Sequence, residues 1–546
     1  MNYYEKHVER LRAADEACLS RGAYSPFPES PSRKLHPEGA RARGRAWFDA
    51  CLGTTLENTG PGGELLGSEV SPFTREPLGI RYQRPTIDAI YDALAAGATA
   101  WRKASVQERL GICLEGLDRL AAAVFENTYA TMHTTGQSFV MSFAGSGANS
   151  LDRGLGALVY ADRAMREVPP QAHFVRKFAG QEATLTKRYA LMPRGPAVVI
   201  ACGSYPAWNA YPAIFANLAT GNPVIVKPHP GTILPVARAV QILRETLKEA
   251  GFDANLVILA PDTAEDPVAY KLAMDPRTAI IDFTGGRGFG DELERNARAL
   301  TYTETAGCNA VLLDSAKDLD AVISSLAYGL CLFSGQMCTT PQNIYIPSHL
   351  ESEDVPGRLL RAIDDIVSNP EMAAGVCGAV HNQRTIDSAH ALRDGLAPGE
   401  TLLRDISPYR HPEFQSARTA TPMIVEIDAE RSSLHRSEHF GPVAFVIPAK
   451  DRDHALALAA RDAAECGAIA SYAYTTDESY RSQVEEALFA AGASVGFNLI
   501  RHRPMNYTAA YSDYHVTGLN PAGNASLTDL AFVANRFRIV QSKTEV

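Results

Sequence analysis

From Ala197 onward the chain alternates short apolar runs with helix-length amphipathic stretches, and it does so twice. AVVIAC is apolar throughout, and NPVIVKP, NLVILA and TAIIDFTG each hold a short apolar run of strand length, which is how strands covered on both faces read. Between them lie PAIFANLATG and TILPVARAVQILRETLKEAG, the latter closing at Gly251. Strands separated by helices of this length pair in parallel, because the crossover returns the chain to the same sheet edge. A second rhythm starts near Asn309, with AVLLD, a helix from Asp318 to Cys331, NIYIP, a helix within LESEDVPGRLLRAIDDIVSN, then PMIVEI, VAFVIP and IASYAYT. The fold class this dictates is α/β, with two doubly wound parallel-sheet lobes.

The segments before Ala197 follow other patterns. A short amphipathic helix is predicted from Tyr4 to Arg21, followed by a Pro/Ser/Arg-rich stretch, SPFPESPSRKLHPEGARARGR, that reads as an irregular arm on the surface. From Thr86 apolar residues recur at three- and four-residue spacing, which predicts helices ending at Gly136. HFVRKFAGQEATLTKRYALM alternates charged and apolar residues and predicts a β-hairpin.

Composition narrows the function. The 546 residues carry 52 basic and 62 acidic side chains, a net charge of −10, which argues against nucleic acid as a partner. Nine scattered cysteines include no C-x-x-C pair, so no metal site is expected and the thiols read as reduced. The amino terminus lacks a signal-type apolar core and no apolar run approaches a bilayer span. These features predict a cytoplasmic chain with no membrane partner.

Four segments carry chemistry, and each has a plain alternative. Cys338 in SGQMC follows a Gly-Gln turn, where backbone N–H groups facing the sulfur would favour thiolate and stabilise an oxyanion; a single cysteine is more commonly a buried structural thiol. Glu304 in TETAGCNAVLL could act as a general base if partly desolvated, or be a surface acid at a strand end. Lys227 closes the strand NPVIVK, and Thr284-Gly285-Gly286 joins a strand to a helix, so backbone there could approach a pyrophosphate; a Gly pair is also an ordinary turn. In SEHFGPV, Glu438 could hold a sugar hydroxyl with Phe440 against a flat ring, or the segment is a loop.

Taken together and in this order, the strand-end K-P, F-T-G-G, E-x-x-G, G-Q-x-C and E-x-F-G-P-V motifs resemble the NAD(P)-dependent aldehyde dehydrogenase superfamily, from about Pro72 to near the carboxyl terminus. The tail GLNPAGNASLTDLAFVANRFRIVQS, the segment GSYPAWNAYPAIFANLATGNPVIVKPHP and the long amino-terminal arm resemble more specifically its phenylacetate-degradation branch, PaaN or PaaZ-like, without the MaoC-type hydratase domain some members carry. The resemblance implies Cys338 as nucleophile and Glu304 as the base that activates water. It places Lys227 at the adenosine ribose or its phosphate, Thr284 to Gly286 at the pyrophosphate and nicotinamide, and Glu438 with Phe440 at the nicotinamide ribose. The substrate it implies is an aldehyde, in this branch a CoA-linked semialdehyde from ring cleavage, oxidised to the acid. Arg41, Arg43 and Arg45 could meet CoA phosphates or form a solvated basic run.

Two positions depart from the family pattern. Ser204 stands where the family's oxyanion asparagine is expected, so Ser204, or Asn209 five residues on, is the candidate donor. Pro230 replaces the carboxylate that repels a 2′-phosphate, and with Lys227 and His229 nearby this favours NADP slightly over NAD. The family's architecture implies an arm over 1–70, a cofactor domain over 71–174 and 194–306, and a catalytic domain over 307–518. It assigns 175–193 and 519–546 to oligomerisation by extending a neighbour's sheet, as a homodimer or dimer of dimers. Competing readings are a CoA-acylating or general aliphatic aldehyde dehydrogenase, a thiol acyltransferase without redox, and a non-catalytic scaffold on the same fold.

Overall fold

Strands β1 (Ala197–Ile200), β2 (Val224–Lys227), β3 (Val257–Leu259), β4 (Ile280–Gly285) and β5 (Leu300–Thr305) form one all-parallel sheet in the order β5-β4-β1-β2-β3. Alternate residues point to opposite faces, and both faces are covered. Val198, Ile200, Ile225 and Ile281 pack into one cluster, while Ala197, Val199, Val226 and Ile280 pack into the other. The computed structural model describes residues 2–545 except 306, 501–514, 516–519 and 526–528.

The second lobe holds β6 (Ala310–Leu313), β7 (Asn343–Pro347), β8 (Thr401–Arg404), β9 (Met423–Glu426), β10 (Val443–Ala449), β11 (Ser471–Tyr474) and β12 (Val495–Phe497). Their order is β8-β9-β10-β7-β6-β11-β12, and every pairing is parallel except β8 with β9. Its two faces are likewise buried, Leu312 and Phe445 on one side and Val311 and Ala444 on the other. The expected pair of doubly wound lobes is present.

Chain direction fixes where a ligand can sit. In the first sheet β1 to β3 build outward on one side, and β4 and β5 on the other, so β1 and β4 flank the point where strand order reverses. Crevices form there outside the carboxyl ends of the strands. The helix after β1 is α1 (Pro206–Ala219), the helix after β4 is α2 (Arg287–Asn296), and in the second lobe α3 (Leu319–Cys331) precedes the Cys338 segment.

Three features differ from the sequence reading. The arm is more ordered than an irregular stretch: beyond the expected amino-terminal helix (Tyr3–Ser20), it contains a helix over Ala40–Cys51 and contributes to a three-stranded sheet of Thr55–Leu56, Glu64–Leu66 and Arg81–Arg84. The hairpin is longer, Gln171–Phe178 and Gln181–Pro193, and the terminal strand Phe537–Glu545 pairs antiparallel with it in the same chain, from Phe537 opposite Pro193 to Glu545 opposite Leu185. The expected domain boundaries at 306/307 and 518/519 touch positions outside the described residues.

The carboxyl-terminal segment is tied to the first lobe by a buried ion pair. Arg536 donates to both carboxylate oxygens of Asp282 at 2.6 and 2.8 Å and to Asn217 at 2.9 Å, with the Tyr302 and Phe532 rings against its guanidinium. Among the described residues no helix is long and apolar enough to cross a membrane, and all nine cysteines are free thiols.

Candidate active site

Cys338 sits after a turn that few sequences could form. Phe333, Ser334 and Gly335 all adopt left-handed backbone (φ 50, 49 and 69°), a conformation costly for the first two and held only by surrounding bonds. The Ser334 hydroxyl bonds the Ala420 carbonyl at 2.9 Å, and Gln336 bonds the Phe333 and Ala379 carbonyls while accepting from His381 N–H. Gly335 is required for a further reason: a Cβ there would stand 2.2 Å from the Gly441 carbonyl, so the G-Q-x-C and F-G-P-V segments are in backbone contact. Asn309 completes the mount. Its amide donates to the Cys338 and Thr340 carbonyls at 2.7 and 2.9 Å, and its oxygen accepts from Ile469 and Ala470 N–H.

Glu304 ends β5 facing the same space. It is 2% exposed; one carboxylate oxygen accepts from the Asn209 amide and the other lies 2.9 Å from His515 Nε2. The edge of β5 is covered by the segment around Asn520–Asn524, where Thr305 N–H bonds the Ala522 carbonyl and Thr303 N–H the Asn524 side chain. His515 Nε2 also lies 3.8 Å from Cys338 Sγ, and Trp208 packs edge-on against its ring. Burial first, then the Glu304 charge, pushes the Cys338 thiol well above its ordinary value.

These groups open on one cavity of about 530 Å³ between the lobes. Cys202, Ser204, Tyr205 and Asn209 come from the β1–α1 junction, Thr284, Gly285 and Gly286 from the β4–α2 junction, and Cys338, Arg384, Glu438 and Phe440 from the second lobe. Gly286 caps α2, and a Cβ on it would meet nothing within 4 Å, so backbone there is open to a ligand. Among the described residues the Glu438 carboxyl has no hydrogen-bond partner, and burial with Glu304 nearby lifts it to about 8. A second pocket, lined by Met141, Tyr205, Trp208 and Met337, also reaches Cys338 and Asn209.

The remaining expected site residues are placed as follows. Lys227 does not line the cavity: its ammonium is paired with the buried Asp262 carboxylate at 2.8 Å. His229 lines it, packed against His381, and burial lowers its pKa to about 3, so it brings no cation. The free positive charge that favoured NADP is therefore not present at these two residues. The Ser204 hydroxyl is directed at Cys202 Sγ, 3.9 Å away; the Asn209 oxygen also faces that sulfur, at 3.5 Å, while its amide donates to Glu304 and the residue borders both pockets that reach Cys338. Arg41 stacks over Phe139, Arg43 bonds the Glu38 carbonyl and Arg45 pairs with Asp49, so all three are engaged within the chain.

Asp262 and His515 had no signal in the sequence, being isolated polar residues outside any motif, and Asn309 lay within TETAGCNAVLL without being singled out. The sequence profile of the aldehyde dehydrogenase family matches residues 67–508. The chain belongs to that family. A crystal structure of NAD-dependent aldehyde dehydrogenase from Burkholderia multivorans superposes at a TM-score of 0.97 with 40% identity, over 100% of this chain and 99% of that one. 1-Pyrroline-5-carboxylate dehydrogenase of Bacillus cereus is 28% identical over 287 residues, 50% of this chain and 53% of that protein. The chain spans about half the length of the curated relatives it matches. An NADP-dependent glyceraldehyde-3-phosphate dehydrogenase from Bacillus halodurans, complexed with NADP, shares the aldehyde dehydrogenase fold at a TM-score of 0.68 and 18% identity, over 89% of this chain and 99% of that one.

Proposed function

We propose that this member of the aldehyde dehydrogenase family oxidises an aldehyde to its carboxylic acid with NAD or NADP, through a thioester on Cys338. The observation that carries it is the meeting of Cys338 and Glu304 in one cavity whose other walls are the Thr284–Gly286 turn and Glu438 with Phe440. The nicotinamide nucleotide supplies the hydride acceptor. The open backbone at Gly286 and the partnerless Glu438 fit a pyrophosphate and ribose hydroxyls respectively, with Phe440 beside the ring.

The chain's own residues do the rest. The Cys338 thiolate adds to the aldehyde carbon, and a donor beside it holds the oxyanion. Asn209 is the better placed of the two candidates, since it borders both pockets that reach Cys338 and Ser204 borders one. Once the thioester has formed, Glu304 takes a proton from water, which adds to the carbonyl; the tetrahedral centre then expels the Cys338 sulfur as thiolate and releases the acid. Glu304 thus favours hydrolysis over transfer to CoA.

The substrate we propose is a CoA-linked semialdehyde of phenylacetate-type ring cleavage, on the strength of the tail and arm segments quoted above. The engaged Arg41, Arg43 and Arg45 leave CoA phosphates to be met elsewhere, and Arg384 at the cavity mouth has no ion-pair partner among the described residues. Nine free thiols accord with a cytoplasmic location. A homodimer or dimer of dimers accords with Val175, Ile539 and Val540, which stay exposed on the hairpin sheet. The test is nucleotide reduction with CoA-linked and free aldehydes, with product analysis. Free acid from the CoA-linked aldehyde supports the reading; acyl-CoA formation from free aldehyde without acid refutes the hydrolytic part.

A further inference from the structure

Resting on that reading of the site, we propose that His515 is a catalytic residue, whose imidazole takes the proton of the Cys338 thiol and stays charged beside the thiolate through the cycle. One nitrogen, Nε2, faces both partners, 2.9 Å from Glu304 Oε1 and 3.8 Å from Cys338 Sγ. The ring is 3% exposed and is fixed edge-on by Trp208, with ring centres 4.7 Å apart.

Of the ring's three proton arrangements, Nε2–H alone donates to Glu304 and offers the thiol no lone pair; two others remain. With the proton on Nδ1, Nε2 accepts from the thiol, but its lone pair then also faces the lone pairs of Glu304. With both nitrogens protonated, Nε2–H donates to carboxylate and thiolate together. The second removes a difficulty the site otherwise has. Cys338 is half-buried beside a carboxylate, and both its desolvation and that charge oppose a thiolate. An imidazolium between the two anions offsets them.

The step balances without any other reactant. The S–H bond breaks, an Nε2–H bond forms, and the three groups carry the same total charge before and after. The thiolate adds to the carbonyl, and after hydrolysis the sulfur departs as thiolate toward the same imidazolium. Among the described residues, Tyr205 and Asn209 at the start of α1 share the pair's pocket, and the Arg153 guanidinium lies 4.6 Å over the Trp208 ring behind it. Cys202 and Glu438 act on the sulfur electrostatically.

The test is the pH dependence of Cys338 alkylation by iodoacetamide, read peptide by peptide by mass spectrometry on the full chain with no aldehyde or nucleotide present. The wild-type rate is expected to follow an ionisation below the ordinary thiol value of about 8.5. His515→Ala and His515→Gln are expected to react at least about tenfold more slowly at neutral pH, with added imidazole restoring part of the His515→Ala rate. Unchanged rate and profile in both variants would overturn the proposal. So would a wild-type ionisation no lower than that of the urea-unfolded chain, a result that needs no variant to fold. Because the assay contains no substrate, its failure leaves the dehydrogenase reading standing, and failure of that reading would appear instead as absent nucleotide reduction.

Discussion

The Lys227 ammonium is held 2.8 Å from the Asp262 carboxylate, at the ends of neighbouring strands and off the cavity. Asp262 is fully buried and also accepts from Val268 N–H, so the pair is fixed from both sides. Its carboxylate compensates the one cation at this strand end, the role that Pro230 cannot take. Asp262→Asn is therefore expected to raise kcat/KM for NADP relative to NAD, by roughly tenfold for one uncompensated charge. Paired assays with the two nucleotides read this directly, and an unchanged ratio would remove Asp262 from cofactor choice.

Glu438 gives a proton-linked prediction. Burial, then the Glu304 charge, raises its carboxyl to about 8, so at neutral pH it is largely protonated before a nucleotide binds. Ribose hydroxyls donate to the ionised form and lower that value on binding. Binding should then release up to one proton at neutral pH, and affinity should rise with pH until it levels off above about 8. Calorimetry in buffers of different ionisation enthalpy measures the proton, and Glu438→Gln should abolish its release.

The Arg536–Asp282 pair anchors the carboxyl-terminal segment beneath β4. Arg536→Met leaves Asp282 buried without its charge partner, and such losses cost about 3–5 kcal/mol. Urea unfolding should show that loss, while the double variant Arg536→Met with Asp282→Leu recovers part of it because no unpaired charge remains.

The two oxyanion candidates separate by rate. Asn209→Ala should lower kcat by about 10²–10³, the effect of losing one donor. Ser204→Ala, whose hydroxyl faces Cys202, should stay within about tenfold of wild type. The reverse order would restore Ser204 as the donor.

The lobes were legible because short apolar runs alternate with helix-length segments, the rhythm of a parallel sheet covered on both faces. Cys338, Glu304, Glu438 and the glycine turn stood out because their motifs, taken in order, resemble the family's; each alone also fitted an ordinary thiol, acid, loop or turn. The helix Ala40–Cys51 was hidden because ARARGRAWFDAC has no continuous apolar face; it is seated by Gly44 against the Phe125 backbone and by Phe48. Asp262 and His515 were hidden for another reason. Each acts through a partner far away in sequence, Lys227 and Glu304, and no local pattern marks such pairs. The partner of the terminal strand within the chain was hidden for the same reason, since one strand pattern serves pairing with any edge.

The sharpest single measurement is a single turnover of Glu304→Gln with aldehyde and nucleotide, followed by intact-protein and peptide mass spectrometry. The predicted result is one equivalent of reduced nucleotide and an acyl group retained on Cys338, with neither seen in Cys338→Ala. Steady release of acid by Glu304→Gln at the wild-type rate, or nucleotide reduction by Cys338→Ala, would contradict it.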